Sequence, residues 1–200
     1  MPQALRNQMD KAYIYELFAE VVERDDEVAF RQIYQRLFIP LFRFSLSLVK
    51  SKEAAEEIVQ DVFLGLWKKR KQLLPVKDIP TYLFVSVKNR ALNQLKKDAA
   101  KNEISLDELG EVNLTFTADP EQLLITGELL RKLDRTIAAL PPKCRLIYML
   151  VKQHGLKYHE VAQVLQLSAK TVENQLAIAM KKLVQSLSFS MEQHTVKRNR

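Results

Sequence analysis

Side chains capable of covalent or metal chemistry are few in this sequence, and their spacing does not suit it. His154 and His159 stand five residues apart beside an expected turn, with no acidic pair or cysteine arranged around them, and read as surface histidines. The single cysteine, Cys144, lies in an apolar helical run, can form no internal disulfide, and reads as a packed thiol. Glu56 and Glu57 are adjacent, so on a helix they diverge by about 100° and cannot share a substrate. Neither a Walker loop nor a nucleophile elbow occurs. The expectation is a protein that is not an enzyme, with no metal, cofactor or small-molecule substrate.

Other side chains suit a different chemistry, the reading of nucleic acid. In HEVAQVLQLSAKTVENQLAIAMKKL, residues 159–183, Val161, Ala162 and Leu165 pack one short helix, Leu167 fills a turn and Ser168 can cap a second helix. Val172, Leu176, Ala179, Met180 and Leu183 then face inward, while Lys170, Thr171, Asn174, Ile178 and Lys181 face away. Short polar and basic side chains near the start of the second helix suit a recognition helix in a major groove. Many such motifs have glycine at the turn position held here by Gln166, where a left-handed backbone would cost roughly 1 kcal/mol. A purely structural helical hairpin is the competing reading.

A second face of this kind lies upstream, in PTYLFVSVKNRALNQLKK, residues 80–97. Leu83, Phe84, Val87, Ala91 and Leu95 face inward, and Tyr82, Ser86, Asn89, Asn93, Lys96 and Lys97 share the outer face. A ring can stack, amides can hydrogen-bond base edges and ammonium groups neutralise phosphate. The preceding QLLPVKDIP, residues 72–80 with Leu73 and Lys77, has no helical period and could form a loop holding an unstacked base. A plain amphipathic helix would also satisfy the pattern. A third helix is expected around the sole tryptophan, with Ile58, Val59, Val62, Phe63 and Leu66 as its apolar stripe and Trp67 in the core. Its outer face carries Glu57, Gln60, Asp61, Leu64 and Lys68. On periodicity alone this is an ordinary solvated face with one stray leucine, and a protein-contact patch is the sharper alternative.

The elements that must position these faces are helical throughout. The sequence has 200 residues, an apolar fraction of 47% and only 4 glycines and 7 prolines, which favours packed helices over a many-stranded fold. The net charge of +7 is unevenly spread: −3 over residues 1–67, +8 over 68–97, −5 over 98–137 and +7 over 138–200. Two basic blocks flanking an acidic one fit either two contacts with a polyanion or a solvated surface. The architecture expected is all-α: a first domain over 10–97, a flexible acidic linker over 98–119, a second domain over 120–187 carrying the helix-turn-helix, and a frayed basic tail over 188–200. Asp119-Pro120-Glu121 reads as the start of a helix. The amino-terminal segment lacks a basic stretch followed by an apolar one, and no window approaches 18 apolar residues, so a cytoplasmic location is expected.

Taken together, these segments resemble the extracytoplasmic-function group of the sigma-70 family, from about residue 10 to 187. EEIVQDVFLGLW (56–67) resembles the family's polymerase-clamp-binding helix, YLFVSVKNRALNQLKK (82–97) its −10-element helix, and IAALPPKCRLIYMLVKQHGLKYHEVAQVLQLSAKTVENQLAIAMKKL (137–183) its domain four, with the Leu-Pro-Pro entry and the Ser-x-x-Thr-Val recognition helix. The resemblance implies an alternative sigma factor that binds core RNA polymerase and directs promoter recognition, −10 melting and initiation. It places Gln60 and Asp61, with Glu57 and Leu64 beside them, against the polymerase. It places Leu73, Lys77, Tyr82, Ser86, Asn89, Asn93, Lys96 and Lys97 at the −10 element, and Ser168, Lys170, Thr171, Asn174, Ile178 and Lys181 at the −35 element. Many relatives have tryptophan where Tyr82 stands and aspartate where Asn93 stands, so base preference does not carry over. The wording looks most like the branch regulating outer-membrane uptake receptors, which implies a membrane-bound anti-sigma factor as a partner. The alternative function is an autonomous helix-turn-helix transcription factor with an amino-terminal sensing domain.

Overall fold

Helices form where apolar residues recur at helical spacing, and side-chain caps fix where several of them begin. The computed structural model describes residues 3–102 and 127–198, with side chains placed over 11–99 and 133–186. The first half comprises α1 (Gln3–Arg24), α2 (Glu27–Val49), α3 (Lys52–Lys68), a 3-10 turn (Arg70–Leu73) and α4 (Ile79–Asn102). The second comprises α5 (Gly127–Ala138), α6 (Pro142–Tyr148), a π turn (Met149–Gln153), α7 (Tyr158–Leu165) and α8 (Ala169–Arg198). Among the described residues there is no strand. Asp26 caps α2 by accepting from the N–H groups of Val28 and Ala29 at 2.8 and 3.0 Å. Ser51 caps α3 from Ala54 at 3.2 Å, and Asp78 caps α4 from Thr81 at 2.9 Å. Each such cap satisfies an orphan donor and is worth about 1 kcal/mol.

The apolar stripe of α3 is buried as its spacing requires: Ile58, Val59, Val62, Phe63 and Leu66 all lie in the core. They pack with Ile33, Leu41 and Phe44 of α2 and with Leu83, Phe84, Val87 and Ala91 of α4. In the second half α8 lies against α5, α6 and α7, and Leu140, Cys144 and Ala179 form a small satellite core. Ile147, Leu150, Val161, Val164, Val172 and Leu176 belong to the same cluster as the first-half helices, because α7 packs directly on α4.

Four expectations are corrected. The linker does not begin at residue 98: α4 continues to Asn102, with Gln94 Nε2 donating to the Asp98 carboxylate one turn on at 3.1 Å. The rest of the linker and the expected helix start at Asp119-Pro120 lie outside the described residues. Where the sequence suggested a separate basic tail from residue 188, α8 runs on to Arg198. His154 is not a surface residue: its ring centroid lies 5.4 Å from that of Phe84, and its Nε2 is enclosed without a hydrogen-bond partner. Met180 is exposed rather than inward.

Candidate nucleic-acid and protein-contact faces

The outer face of α3 is built by exclusion. Once the apolar stripe is buried, Glu57, Gln60, Asp61 and Leu64 must point to solvent, and all four are exposed. Leu64 is 49% exposed, a large apolar group left in water. It borders a cleft between α2 and α3 lined by Phe30, Tyr34, Phe63 and Trp67 with Glu27, Arg31 and Gln60 at its edge. The rings are mutually locked: Phe30 meets Trp67 edge-on at 5.0 Å and Tyr34 meets Phe63 at 4.7 Å. Trp67, expected in the core, is half-buried: it packs on the core and also forms part of this cleft wall. Burial and the neighbouring Glu56 both raise the Tyr34 phenol, so it stays a neutral donor.

The loop between the 3-10 turn and α4 is pinned at both ends. At its start Arg70 lies 4.4 Å over the Trp67 ring and pairs with Asp25 at 2.6 Å. At its end Asp78 both caps α4 and pairs with Lys11 at 2.9 Å. Burial alone would raise the Asp78 carboxyl, but the Thr81 N–H and the Lys11 ammonium outweigh it and hold the group below the usual carboxylate range. Leu73, at the end of the 3-10 turn, is half-buried against the core, and Leu74, Pro75 and Lys77 are the exposed side chains of the loop.

Along α4 the expected outer face divides. Asn89, Asn93, Lys96 and Lys97 are exposed. Tyr82 and Ser86 are half-buried: the ring packs on the core, and the Ser86 hydroxyl donates to the Tyr82 carbonyl at 2.9 Å. Two residues absent from the sequence assignment stand out. Lys88 is buried and desolvation lowers its pKa. Arg90 is exposed and donates to Asp61 across the helix pair at 2.5 Å. The guanidinium lies along α3 at Gly65, where even a Cβ would sit 3.9 Å from Arg90 Nη2, an ordinary van der Waals contact. Arg90 was visible in the sequence only as one of the charges of a basic block.

In the second half, Gln166 adopts φ 56° and ψ 49° and ends α7, the left-handed turn that the motif demands. Ser168 Oγ accepts from the Thr171 N–H at 3.0 Å and so caps α8. Lys170, Asn174, Ile178 and Lys181 are exposed along the first three turns, and Thr171 is half-buried. Lys170 holds Glu173 at 2.9 Å, a local surface pair. Glu160, at the start of α7, is buried, accepts from the Lys157 N–H at 2.7 Å and meets Lys11 at 2.6 Å. Cys144 is buried, its thiol 2.9 Å from Gln175 Oε1, and burial pushes its pKa up, so the thiolate is disfavoured. Among the described residues no cluster of His, Cys, Asp or Glu could hold a metal ion, and no helix is long and apolar enough to cross a membrane.

Comparison with known proteins adds sequence relationships to this geometry. The sigma-70 region 2 family matches residues 33–101, and the sigma-70 region 4 family matches residues 130–183. The chain is 25% identical over 173 residues to the ECF RNA polymerase sigma factor RpoE of Cereibacter sphaeroides, covering 86% of this chain and 93% of that one. It is 24% identical over 168 residues to the ECF RNA polymerase sigma-E factor of Escherichia coli, covering 80% of this chain and 87% of that one. Two solved structures share the fold. CnrH in complex with the cytosolic domain of CnrY has a TM-score of 0.55 at 21% identity, covering 88% of this chain and 97% of that one. The sigma factor RpoE of Bartonella quintana in complex with the anti-sigma factor NepR has a TM-score of 0.59 at 21% identity, covering 80% and 96%.

Proposed function

The chain belongs to the sigma-70 family as an alternative sigma factor of the extracytoplasmic-function group, and from that premise we propose how its faces divide the work of initiation. Core RNA polymerase binds the outer face of α3, with Glu57, Gln60 and Asp61 as polar contacts and Leu64 and the aromatic cleft beside it as the apolar anchor. Exposed aliphatic and aromatic groups inside a polar rim are what a protein interface needs. The −10 element is met by the loop before α4 and by Asn89, Asn93, Lys96 and Lys97. The −35 element is met by Ser168, Lys170, Thr171, Asn174, Ile178 and Lys181 at the start of α8, entering a major groove.

The observation that carries this division is the pair of separate polar and basic faces, on α4 and on α8, each backed by a buried apolar stripe. A factor that only binds duplex needs one of them. The α4 face comes with a pinned loop whose Leu74, Pro75 and Lys77 project outward, a surface suited to bases already out of the stack. The chain acts by binding alone, in the cytoplasm, and an anti-sigma factor at the membrane covers one or both faces until it is released.

In vitro transcription tests the reading. Core polymerase with this chain is expected to yield a transcript from the chain's own upstream region that neither component yields alone. Specific promoter footprints from the chain without polymerase would instead favour the autonomous transcription factor.

A further inference from the structure

Not every polar group at the start of α8 is available to a ligand. The Ser168 hydroxyl caps the helix from the Thr171 N–H and meets the Thr171 hydroxyl at 2.8 Å, so these two side chains serve each other. The charged pair beside them is different. Lys170 Nζ donates to Glu173 Oε2 at 2.9 Å, yet the two side chains are 73% and 54% exposed. Residues three apart on a helix are surface neighbours. Their mutual bond therefore sets a donor and an acceptor side by side on the part of α8 that would enter a major groove. Glu173 is absent from the residues that the sequence pattern assigns to DNA.

Both partners keep bonding capacity. An ammonium has three N–H donors and a carboxylate about four acceptor sites, so two donors and several acceptor sites remain after the mutual bond. These complement one base pair. In the major groove guanine offers O6 and N7 as acceptors, and its cytosine offers the N4 amino group as a donor. O6 and N4 are joined by a Watson–Crick N–H···O bond of about 2.9 Å, which matches the separation of Nζ and Oε2. A lysine astride O6 and N7 thus leaves its glutamate over N4. The other pairs fit less well. T·A offers O4 and N6 in the same order, but a methyl group stands where guanine has N7. A·T and C·G reverse the order and set donor against donor and acceptor against acceptor. A lone carboxylate would be repelled by phosphate, but here the ammonium cancels it, and Lys181 and Lys182 stand exposed further along α8 for the backbone.

We propose that Lys170 and Glu173 act as one unit that reads a single G·C pair of the −35 element, Lys170 on guanine and Glu173 on cytosine. This rests on the −35 assignment above and narrows it to one base pair. Glu173 is thereby a specificity-determining residue. It accepts from cytosine, and it excludes pairs that set an acceptor beneath the carboxylate, since specificity needs a repulsive element as well as an attractive one.

The test is transcription by core polymerase with the full-length chain on a barcoded promoter library randomised over the −35 region, read by sequencing the transcribed barcodes. At one position wild type should prefer G·C over A·T and C·G by about tenfold or more, with T·A between. Glu173→Gln installs an amide that both donates and accepts and can pair with adenine, so G·C should fall about tenfold relative to A·T at that position. Lys170→Ala should flatten the same position. The double variant should lose no more there than the larger single effect, as expected of groups that act together. Preferences at other positions should be unchanged, which also reports that these exposed substitutions leave the fold intact. A wild type with −35 preferences but none for G·C would overturn the proposal. So would single variants that alter different positions, or a Glu173→Gln profile identical to wild type. A wild type that gives no promoter-directed transcript would instead overturn the sigma-factor reading on which the proposal stands.

Discussion

The faces on α4 and α8 have similar side chains but opposite settings. On α8 the residues proposed to read the −35 element are mostly exposed and pair with near neighbours in sequence: Ser168 with Thr171, Lys170 with Glu173. On α4 the corresponding surface is wired into the rest of the molecule. Asp78 is held from α1, Arg90 from α3, Tyr82 rests on the core and Lys88 is buried beneath it. A helix that reads closed duplex can act as a self-contained unit, because the duplex presents its base edges ready-made. A surface that receives unstacked bases must itself be preorganised, since unstacking costs a few kcal/mol per base and stacking on an aromatic returns only about 1–3 kcal/mol. The contrast is one between a portable reader and a built-in one.

The largest effects should therefore come from α4 and its loop. Asn89→Ala, or a glycine-serine loop in place of residues 74–79, should spare closed-complex formation yet reduce permanganate-reactive thymines near −10 by about tenfold or more, the product of several lost contacts. Equal reactivity in wild type and both variants would remove the built-in half of the comparison.

On folding rather than on DNA reading, an acid sensitivity should be confined to the junction of the halves. Burial, and secondarily Arg43 of α2, lower the His154 pKa to about 4. Arg43 is the charged group facing the imidazole and the Phe84 ring of α4 is its apolar neighbour. The protonated form is disfavoured in the folded chain, so His154 contributes stability in full above about pH 6.5, and that stability is lost as pH falls toward 4. The loss should approach about 3 kcal/mol. Urea unfolding between pH 7 and 4.5 should show it in wild type and a flatter profile in His154→Gln. Parallel profiles would place the histidine in solvent.

On α8 the effects should be local and separable. Replacing a residue that touches a base edge, with Asn174→Ala as the first choice, should cost about 1–3 kcal/mol at one base position of the −35 element. Lys181→Ala should weaken all sequences alike and lower the salt slope by about one unit. Unaltered binding across a panel of −35 variants for both would mean that this face is not a reader. Smaller still, Gln166→Gly should raise stability by roughly 1 kcal/mol in thermal unfolding, because the left-handed backbone strains a side chain that glycine lacks. A lower melting temperature would show that the glutamine side chain is itself needed. At the bottom of the scale, Gln60→Ala with Asp61→Ala should weaken core-polymerase binding while changing stability by about 0–1 kcal/mol, since the Asp61–Arg90 pair is exposed.

What the sequence disclosed follows the range over which its signals act. The stripe from Ile58 to Leu66, the caps and the strained turn at Gln166 are decided by residues within a turn or two, and the structure places them as the spacing implies. His154, Glu160 and Lys88 escape the local pattern for a common reason: their burial is decided by packing that local periodicity does not encode. For His154 and Glu160 the partners are Phe84 and Lys11, more than 60 residues away in sequence. Local pattern also mistook the ends of α4 and α8. The first continues through a polar stretch supported by Gln94 with Asp98, and the second extends past its last inward residue.

The guanidinium of Arg90 has a thermodynamic consequence of its own. Asp61 is its partner and also a proposed polymerase contact, while Arg90 sits beside Asn89 on the surface assigned to the −10 element. A polymerase that claims Asp61 leaves an unneutralised cation next to a polyanion-binding surface. DNA that claims Arg90 leaves Asp61 open to polymerase. The two ligands are then heterotropically linked, and each must raise the other's affinity by the same factor.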